Sequence, residues 1–130
     1  MSISLLQLYQ PEYNFKTIQN AYDAVNLKAP LSYTLKQLGA DLFAGKIGLY
    51  MSNDTLLIVR IDNYDVGSKK IMFIILAYSV NGDALEMYRQ QVMTLAKELG
   101  CSTIQWQSPR MYTRAVEGAR VKEWLYELDI

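Results

Sequence analysis

Apolar positions in the first third of the chain recur at steps of three and four, which is the spacing of one face of an α-helix. Two such stripes occur, one from Glu12 to Val25 and one from Leu31 to Leu42, and Pro30 separates them. The second stripe leads to Gly45, where we expect a left-handed helix end. A loosely alternating stretch over Ser2–Tyr9 precedes both stripes. The pattern therefore predicts one strand followed by two amphipathic helices.

The pattern then changes to alternating and continuous apolar runs rich in β-branched residues, which are typical of strands. Three runs follow one another, with short polar segments between them: Lys46–Met51, Leu56–Tyr64 and Ile71–Tyr78. Segments this short favour hairpin connections. We predict an antiparallel meander of three strands.

A helical stripe returns from Asp83 to Leu99, where Asp83 can cap the first turn and Gly100 can end the helix. After it we predict a short strand, a weak helix and a final strand, at Thr103–Gln107, Met111–Glu117 and Val121–Leu128. No repeat or linker interrupts this order, so we expect a single domain over residues 1–130.

The composition excludes several classes of function. The chain has 13 basic and 13 acidic residues, so no net charge would attract nucleic acid or an anionic membrane. It contains no histidine, and Cys101 is its one cysteine, which excludes disulfide and zinc frameworks. We expect Cys101 to be a buried apolar thiol. For the same reason we expect no bound metal. No apolar stretch is long enough to span a bilayer, so we expect a cytoplasmic protein.

The order of elements over nearly the whole chain resembles the GNAT acyltransferase fold. The resemblance is strongest from Ile71 to Gly118, where a long strand, a Gly-containing loop, a helix and a short helix follow in the order found in that family. It implies a single α/β domain with a twisted mixed sheet of about six or seven strands and helices on both faces. In that family, backbone amides of the loop bind the pyrophosphate of acyl-coenzyme A. The corresponding residues here are Ser79, Val80, Asn81, Gly82, Asp83 and Ala84.

This loop matches only half of the family pattern. The Gly-x-Ala half is present as Gly82 to Ala84, but Ser79 stands where the family has a basic or amide residue. Asp83 places a negative charge where a diphosphate would bind, and two unit charges about 5 Å apart repel by several kcal/mol at an effective dielectric constant near 20. No basic residue within the loop offsets this charge, and Arg89 lies nearly two turns further along the predicted helix.

The family's general acid is also missing from its usual place. A tyrosine commonly stands four residues before a Gly-Phe pair and protonates the departing thiolate, but here Arg114 precedes Gly118 by four. Tyr112 is the nearest substitute, and the alternative is that it is a packing aromatic. None of three candidate general bases has a partner visible in the sequence: Asp62, Glu117 and Glu123.

Three hypotheses follow from these features. The first is a divergent GNAT-like protein with weak or no acyltransferase activity that acts through protein contacts, without a cofactor; by analogy with small bacteriophage GNAT-like proteins it could be virion-associated or host-directed. The second is an acetyl-CoA-dependent N-acyltransferase that uses the loop amides and Tyr112. The third is a module for an acidic ligand at Arg110, Arg114 and Arg120. A homodimer through the last strand stays open, and ten tyrosines would suit a protein interface.

Overall fold

The computed structural model describes residues 7–8, 11–28, 31, 33–52, 55–64, 69–80, 89–107, 120–122 and 125–130. Its helices are α1 (Pro11–Lys28), α2 (Leu35–Phe43) and α3 (Arg89–Glu98). Its strands are β1 (Gln7–Leu8), β2 (Gly48–Met51), β3 (Thr55–Tyr64), β4 (Lys69–Ser79), β5 (Thr103–Gln107), β6 (Arg120–Lys122) and β7 (Leu125–Asp129).

The seven described strands form one sheet in the order β1-β2-β3-β4-β5-β7-β6. Strands β2, β3 and β4 form the predicted antiparallel meander. Strand β5 pairs with β4 in parallel, and every other pairing in the described sheet is antiparallel. A parallel pair needs a crossover connection, and α3 lies on that connection. The mixed sheet and its strand number confirm the predicted fold class.

Helices cover both faces of the sheet, as predicted. Helices α1 and α2 bury their apolar stripes against one face, in a cluster that includes Ile18, Leu38, Leu49, Ile58 and Phe73. Helix α3 buries Val92, Leu95 and Ala96 against the other face, in a second cluster that includes Leu57, Met72, Ile104 and Trp106. We call these the α1/α2 face and the α3 face. Since neighbouring strand residues point to opposite faces, each strand contributes to both clusters.

Two glycines end their helices where the sequence predicts. Gly45 follows α2 with a φ of 74° and Gly100 follows α3 with a φ of 79°, a conformation that residues with a Cβ atom adopt at a cost. The start of α2 is closed by a capping box: Thr34 Oγ1 accepts a hydrogen bond from the Gln37 amide at 3.1 Å, and Gln37 Oε1 accepts one from the Thr34 amide at 3.0 Å.

The prediction of one final strand over Val121–Leu128 is wrong. This segment contains two strands, β6 and β7, which pair antiparallel, with Val121 opposite Tyr126. No glycine, proline or asparagine occurs in residues 120–129 to mark a turn between the two strands. The predicted helix start at Asp83 and the predicted helix at Met111–Glu117 lie outside the described residues.

Candidate functional site

The two edges of β4 are paired over very different lengths. On one edge β4 pairs with β3 along the whole strand, from Tyr64 opposite Lys69 to Thr55 opposite Ser79. On the other edge it pairs with β5 only as far as Ile74 opposite Trp106. In the part of the chain that the structure describes, residues 75–79 of β4 have no strand beside them on that edge. We call the space beside these residues the β4–β5 crevice.

A β-bulge in β4 accounts for the parting of the two strands. Ile58 of β3 lies opposite Leu76, but the next residue, Val59, lies opposite Ile74, so Ile75 is an extra residue in β4. Ile75 and Leu76 consequently both contribute to the core on the α1/α2 face. A bulge bends its strand and increases the local twist. Because this one follows directly after the last parallel pair, it turns β4 away from β5 where the crevice begins.

A small recess lies at the base of the crevice, on the α3 face. Its volume is about 20 Å³, and a single water needs about 10–15 Å³ by this kind of measure. Its walls are almost wholly apolar, and they come from the sheet residues Ile74, Ile104, Trp106 and Leu128 and from the first half of α3. The recess therefore has room for a group about the size of a methyl.

The arrangement of the sheet and helices matches solved acetyltransferase structures. A structure described as a probable acetyltransferase superposes with a TM-score of 0.66 at 12% identity, covering 91% of this chain and 91% of that one. The fold is that of the GNAT acetyltransferases. A GNAT-family acetyltransferase from Listeria monocytogenes 4b F2365 superposes with a TM-score of 0.62 at 14% identity, covering 98% of this chain and 95% of that one.

No family model matches the sequence, and no curated protein is significantly similar to it. The resemblance to GNAT proteins seen in the order of elements is thus confirmed at the level of the fold. A fold does not determine an activity, so the function has to be argued from the residues of the crevice.

The structure describes two of the six residues predicted to form the GNAT phosphate loop. Ser79 is 2% exposed, so its hydroxyl does not face solvent at the mouth of the crevice, whereas Val80 is 72% exposed. Neither side chain carries a charge. Asn81, Gly82, Asp83 and Ala84 lie outside the described residues, as do the candidate acid Tyr112 and two of the predicted arginines, Arg110 and Arg114.

The first basic residue after the predicted phosphate loop in the sequence lies at the recess. Arg89, the first residue of α3, lines the recess together with Val92 and Met93, and its Nε atom is buried. In the sequence it is the one lysine or arginine between Ile71 and Ala96. Along the sequence, positive charge is therefore scarce on both sides of the predicted phosphate loop.

The candidate base Asp62 is held in an ion pair that sequence spacing did not reveal. Arg60 Nε donates to Asp62 Oδ1 at 2.8 Å and Arg60 Nη2 donates to Oδ2 at 3.1 Å, while Nη1 donates to the Tyr33 hydroxyl at 2.8 Å. The hydrogen bond to Asp62 is the main cause that raises the pKa of Arg60. The guanidinium carbon also lies 4.7 Å from the centre of the Phe73 ring. We call these four residues the Arg60 cluster.

A buried carboxylate that no pattern in the sequence marks lies on the α1/α2 face. Glu127 is 3% exposed, and its Oε1 accepts a hydrogen bond from Gln105 Nε2 at 2.8 Å. Phe73, which packs on the α1/α2 face, lies in register with Gln105, so this pair is on the opposite face from the recess. Arg120, the third predicted arginine, is opposite Glu127 in the register of β6 and β7. The other two candidate bases, Glu117 and Glu123, lie outside the described residues.

Cys101 is buried, as predicted, and burial raises the pKa of its thiol. Among the residues that the structure describes, no three histidine, cysteine, aspartate or glutamate side chains form a group that could hold a metal ion. None of the described helices is both long and apolar enough to cross a membrane.

Proposed function

We propose that this chain is a divergent GNAT-like protein with weak or no acyltransferase activity that acts mainly through protein contacts. In this proposal the β4–β5 crevice still accepts the pantetheine arm of an acyl thioester, but the diphosphate of coenzyme A is repelled. The observation that carries the proposal is the charge of the phosphate loop: Asp83 stands at the predicted helix start, and no lysine or arginine occurs between Ile71 and Tyr88.

The shape of the crevice supports binding of the arm. Four strand residues, 75–78, span about 14 Å at 3.4 Å per residue, which is comparable to an extended pantetheine chain. Their backbone N–H and C=O groups on the open edge can bind the amides of that chain in the way a neighbouring strand would. The charge of the loop opposes the diphosphate instead, because an aspartate in the first turn of a helix competes with an anion for the free amides.

Exposed apolar side chains support a role in protein contacts. Among the described residues, three large apolar side chains are mostly exposed: Leu27, Phe43 and Val80. Val80 lies directly after β4, at the mouth of the crevice, so a partner that contacts it would also cover the crevice. A bacteriophage origin, and a place in a virion or against a host protein in the cytoplasm, belong to the same proposal through the analogy of fold and size. Native mass spectrometry of protein purified from its source tests for such a partner.

Calorimetry with acetyl-coenzyme A at neutral pH tests the repulsion. We expect the natural protein to bind more weakly than micromolar and Asp83→Asn to bind at least about tenfold more tightly, since removing one close like charge is worth more than about 1.4 kcal/mol. Asp23→Asn is the matched control, because Asp23 is an exposed aspartate of α1. Micromolar binding by the natural protein would contradict the proposal.

A second candidate function is an acetyl-CoA-dependent N-acyltransferase, which the open crevice and its recess favour. The backbone amides of residues 80–84 would hold the pyrophosphate. The acceptor amine would attack the thioester carbonyl, and Tyr112 would give its proton to the departing thiolate. Replacing Gly82 by valine should then abolish binding of coenzyme A while the protein stays folded, because a side chain at this position blocks the approach of a phosphate. Unchanged binding by Gly82→Val would discard this candidate.

A further inference from the structure

We infer that Trp106 sets the length of the acyl group that the crevice accepts, and that the recess it closes fits an acetyl group and excludes longer chains. This inference rests on the proposed binding of a pantetheine arm in the crevice. It assigns to this chain a specificity-determining residue that the phosphate-loop pattern does not contain.

The first step is the direction of the arm. The phosphate loop follows the end of β4 at Ser79, whereas the parallel pairing of β4 with β5 ends at Ile74 and Trp106. An arm that starts at the loop and lies along residues 79–75 therefore runs toward this last pair. Its thioester end reaches the base of the crevice, and the recess is lined by the same two residues.

The second step is the fit. The recess of about 20 Å³ holds one water-sized group by the usual measure of about 10–15 Å³ each. A methyl group fits this space, whereas the four further methylenes of a hexanoyl group do not. The apolar walls suit a methyl group, since burying it there removes apolar surface from water without leaving a polar group unpaired.

The third step is the residue that closes the recess. The other sheet residues of the wall are Ile74, Ile104 and Leu128, which are buried aliphatic side chains of the α3-side core. Trp106 is the largest side chain of the wall and is 4% exposed. It also forms the end of the parallel pair, so its indole lies where the crevice meets the recess. Shortening this side chain lengthens the recess without changing β4.

The test is calorimetric titration with S-acetyl, S-butanoyl and S-hexanoyl pantetheine, which lack the diphosphate and so bind independently of Asp83. We expect the natural protein to bind the acetyl compound at least about tenfold more tightly than the hexanoyl compound, because discrimination by one methylene is typically about 10-fold or more. Trp106→Ala should reverse this order. Val92→Ile adds a methyl toward the recess and should weaken acetyl binding by about tenfold. Asp23→Asn, at an exposed position of α1, should change neither value.

Each outcome of the titration has one meaning. If the natural protein binds acetyl and hexanoyl compounds equally, or Trp106→Ala leaves the order unchanged, the inference is overturned while the arm site stands. If no pantetheine thioester binds, the arm site itself is overturned, and the inference with it. If Trp106→Ala does not fold, Trp106→Phe is used with the butanoyl compound, and a preference unchanged from the natural protein overturns the inference.

Discussion

The two edges of β4 differ in how far they are paired with a neighbouring strand. The β3 edge is paired over its full length and belongs to a meander packed on α1 and α2, with Ile58 and Leu38 fully buried. The β5 edge is paired over four residues, and beyond the bulge of Ile75 no strand of the described ranges lies beside it. The first edge holds the fold together, and the second is the edge at which we propose that a ligand binds.

This difference means that the shape of the crevice and the charge of the predicted phosphate loop depend on different kinds of residue. The bulge, the open edge and the apolar recess are produced by buried residues, which the stability of the fold constrains. Surface and loop residues generally contribute little to stability, so a substitution there can change the charge of a site without unfolding a protein. Under the proposed function, the chain keeps the shape of the crevice while the charge of its predicted phosphate loop disfavours coenzyme A.

The largest expected effect is on the meander side. Leu38→Ala removes a side chain that is 0% exposed in the α1/α2 core and should lower the free energy of unfolding by about 3 kcal/mol. Leu27→Ala is the matched leucine control, since Leu27 is 88% exposed, and should change it by less than about 0.5 kcal/mol. Urea unfolding of both variants gives the two values. Equal values would mean that α1 and α2 do not pack on the sheet as described.

The next prediction compares the packing of the two faces by adding one or two carbon atoms to each. Ala21 is buried between α1 and the sheet in the α1/α2 core, so Ala21→Val should overpack this core and cost about 1–3 kcal/mol. Val92 borders the recess, so Val92→Ile has space for its added methyl and should shift the free energy of unfolding by less than about 0.5 kcal/mol. Thermal and urea unfolding measure both. A similar loss in the two variants would show that the recess is not open space.

The sequence predicts the parts of this structure that depend on local periodicity. The stripes of α1, α2 and α3, the apolar run of β4 and the glycine ends at Gly45 and Gly100 all follow from spacings within one element. The bulge at Ile75 cannot be predicted from the sequence. Every residue of Ile71–Leu76 is apolar, so one extra residue does not change the pattern of apolar and polar positions. The turn between β6 and β7 is hidden because no turn residue stands there.

Features that join distant residues are not visible in the sequence. Arg60 and Tyr33 are 27 residues apart and meet only because the connection of α1 to α2 lies on β3. Trp106 becomes part of the candidate site through the parallel register with Ile74, which no short-range pattern specifies. The structure alone shows that the pairing of β4 with β5 ends at Ile74 and Trp106 and which residues close the base of the crevice.

A smaller effect is expected at the Arg60 cluster, which fixes the connection between α1 and α2 to the meander. Arg60→Ala removes the bidentate pair with Asp62, the hydrogen bond to Tyr33 and the contact with the Phe73 ring. The pair is partly exposed and screened by water, so the loss should be about 1–2 kcal/mol in total. Arg60→Lys keeps the positive charge but loses the planar guanidinium that donates two hydrogen bonds to Asp62, so it should lose about half as much stability. Urea unfolding in low and high salt separates the ion pair with Asp62, which salt screens, from the contacts with Tyr33 and Phe73. A loss of stability in Arg60→Ala below about 0.3 kcal/mol would show that the cluster contributes nothing to stability.

The smallest effect is a dependence of stability on alkaline pH that involves Cys101. Burial raises the pKa of this thiol above its ordinary value of 9.0, although nearby Lys70 partly offsets the effect. Above pH 9 the unfolded chain therefore releases a proton that the folded chain retains, so stability falls as the pH rises, by at most about 1.4 kcal/mol per pH unit. Below the pKa of the unfolded thiol both states are protonated and the contribution is constant. The pKa of Tyr50 is also raised by burial, from 10.0, so its effect begins one unit higher.

Urea unfolding of the natural protein and of Cys101→Ala at pH 7, 8, 9 and 10 isolates the thiol. The substitution itself lowers stability at every pH, because it removes a buried sulfur atom next to the α3-side core. The difference in stability between the two proteins should be constant up to about pH 8.5 and should shrink above it, because the variant has no thiol whose ionisation favours the unfolded chain. Tyr50→Phe, which keeps Cys101, should retain the decline between pH 9 and 10. If the difference in stability between the two proteins stayed constant to pH 10, the thiol would be in contact with water. The α3 face would then be open beside Cys101, just before β5.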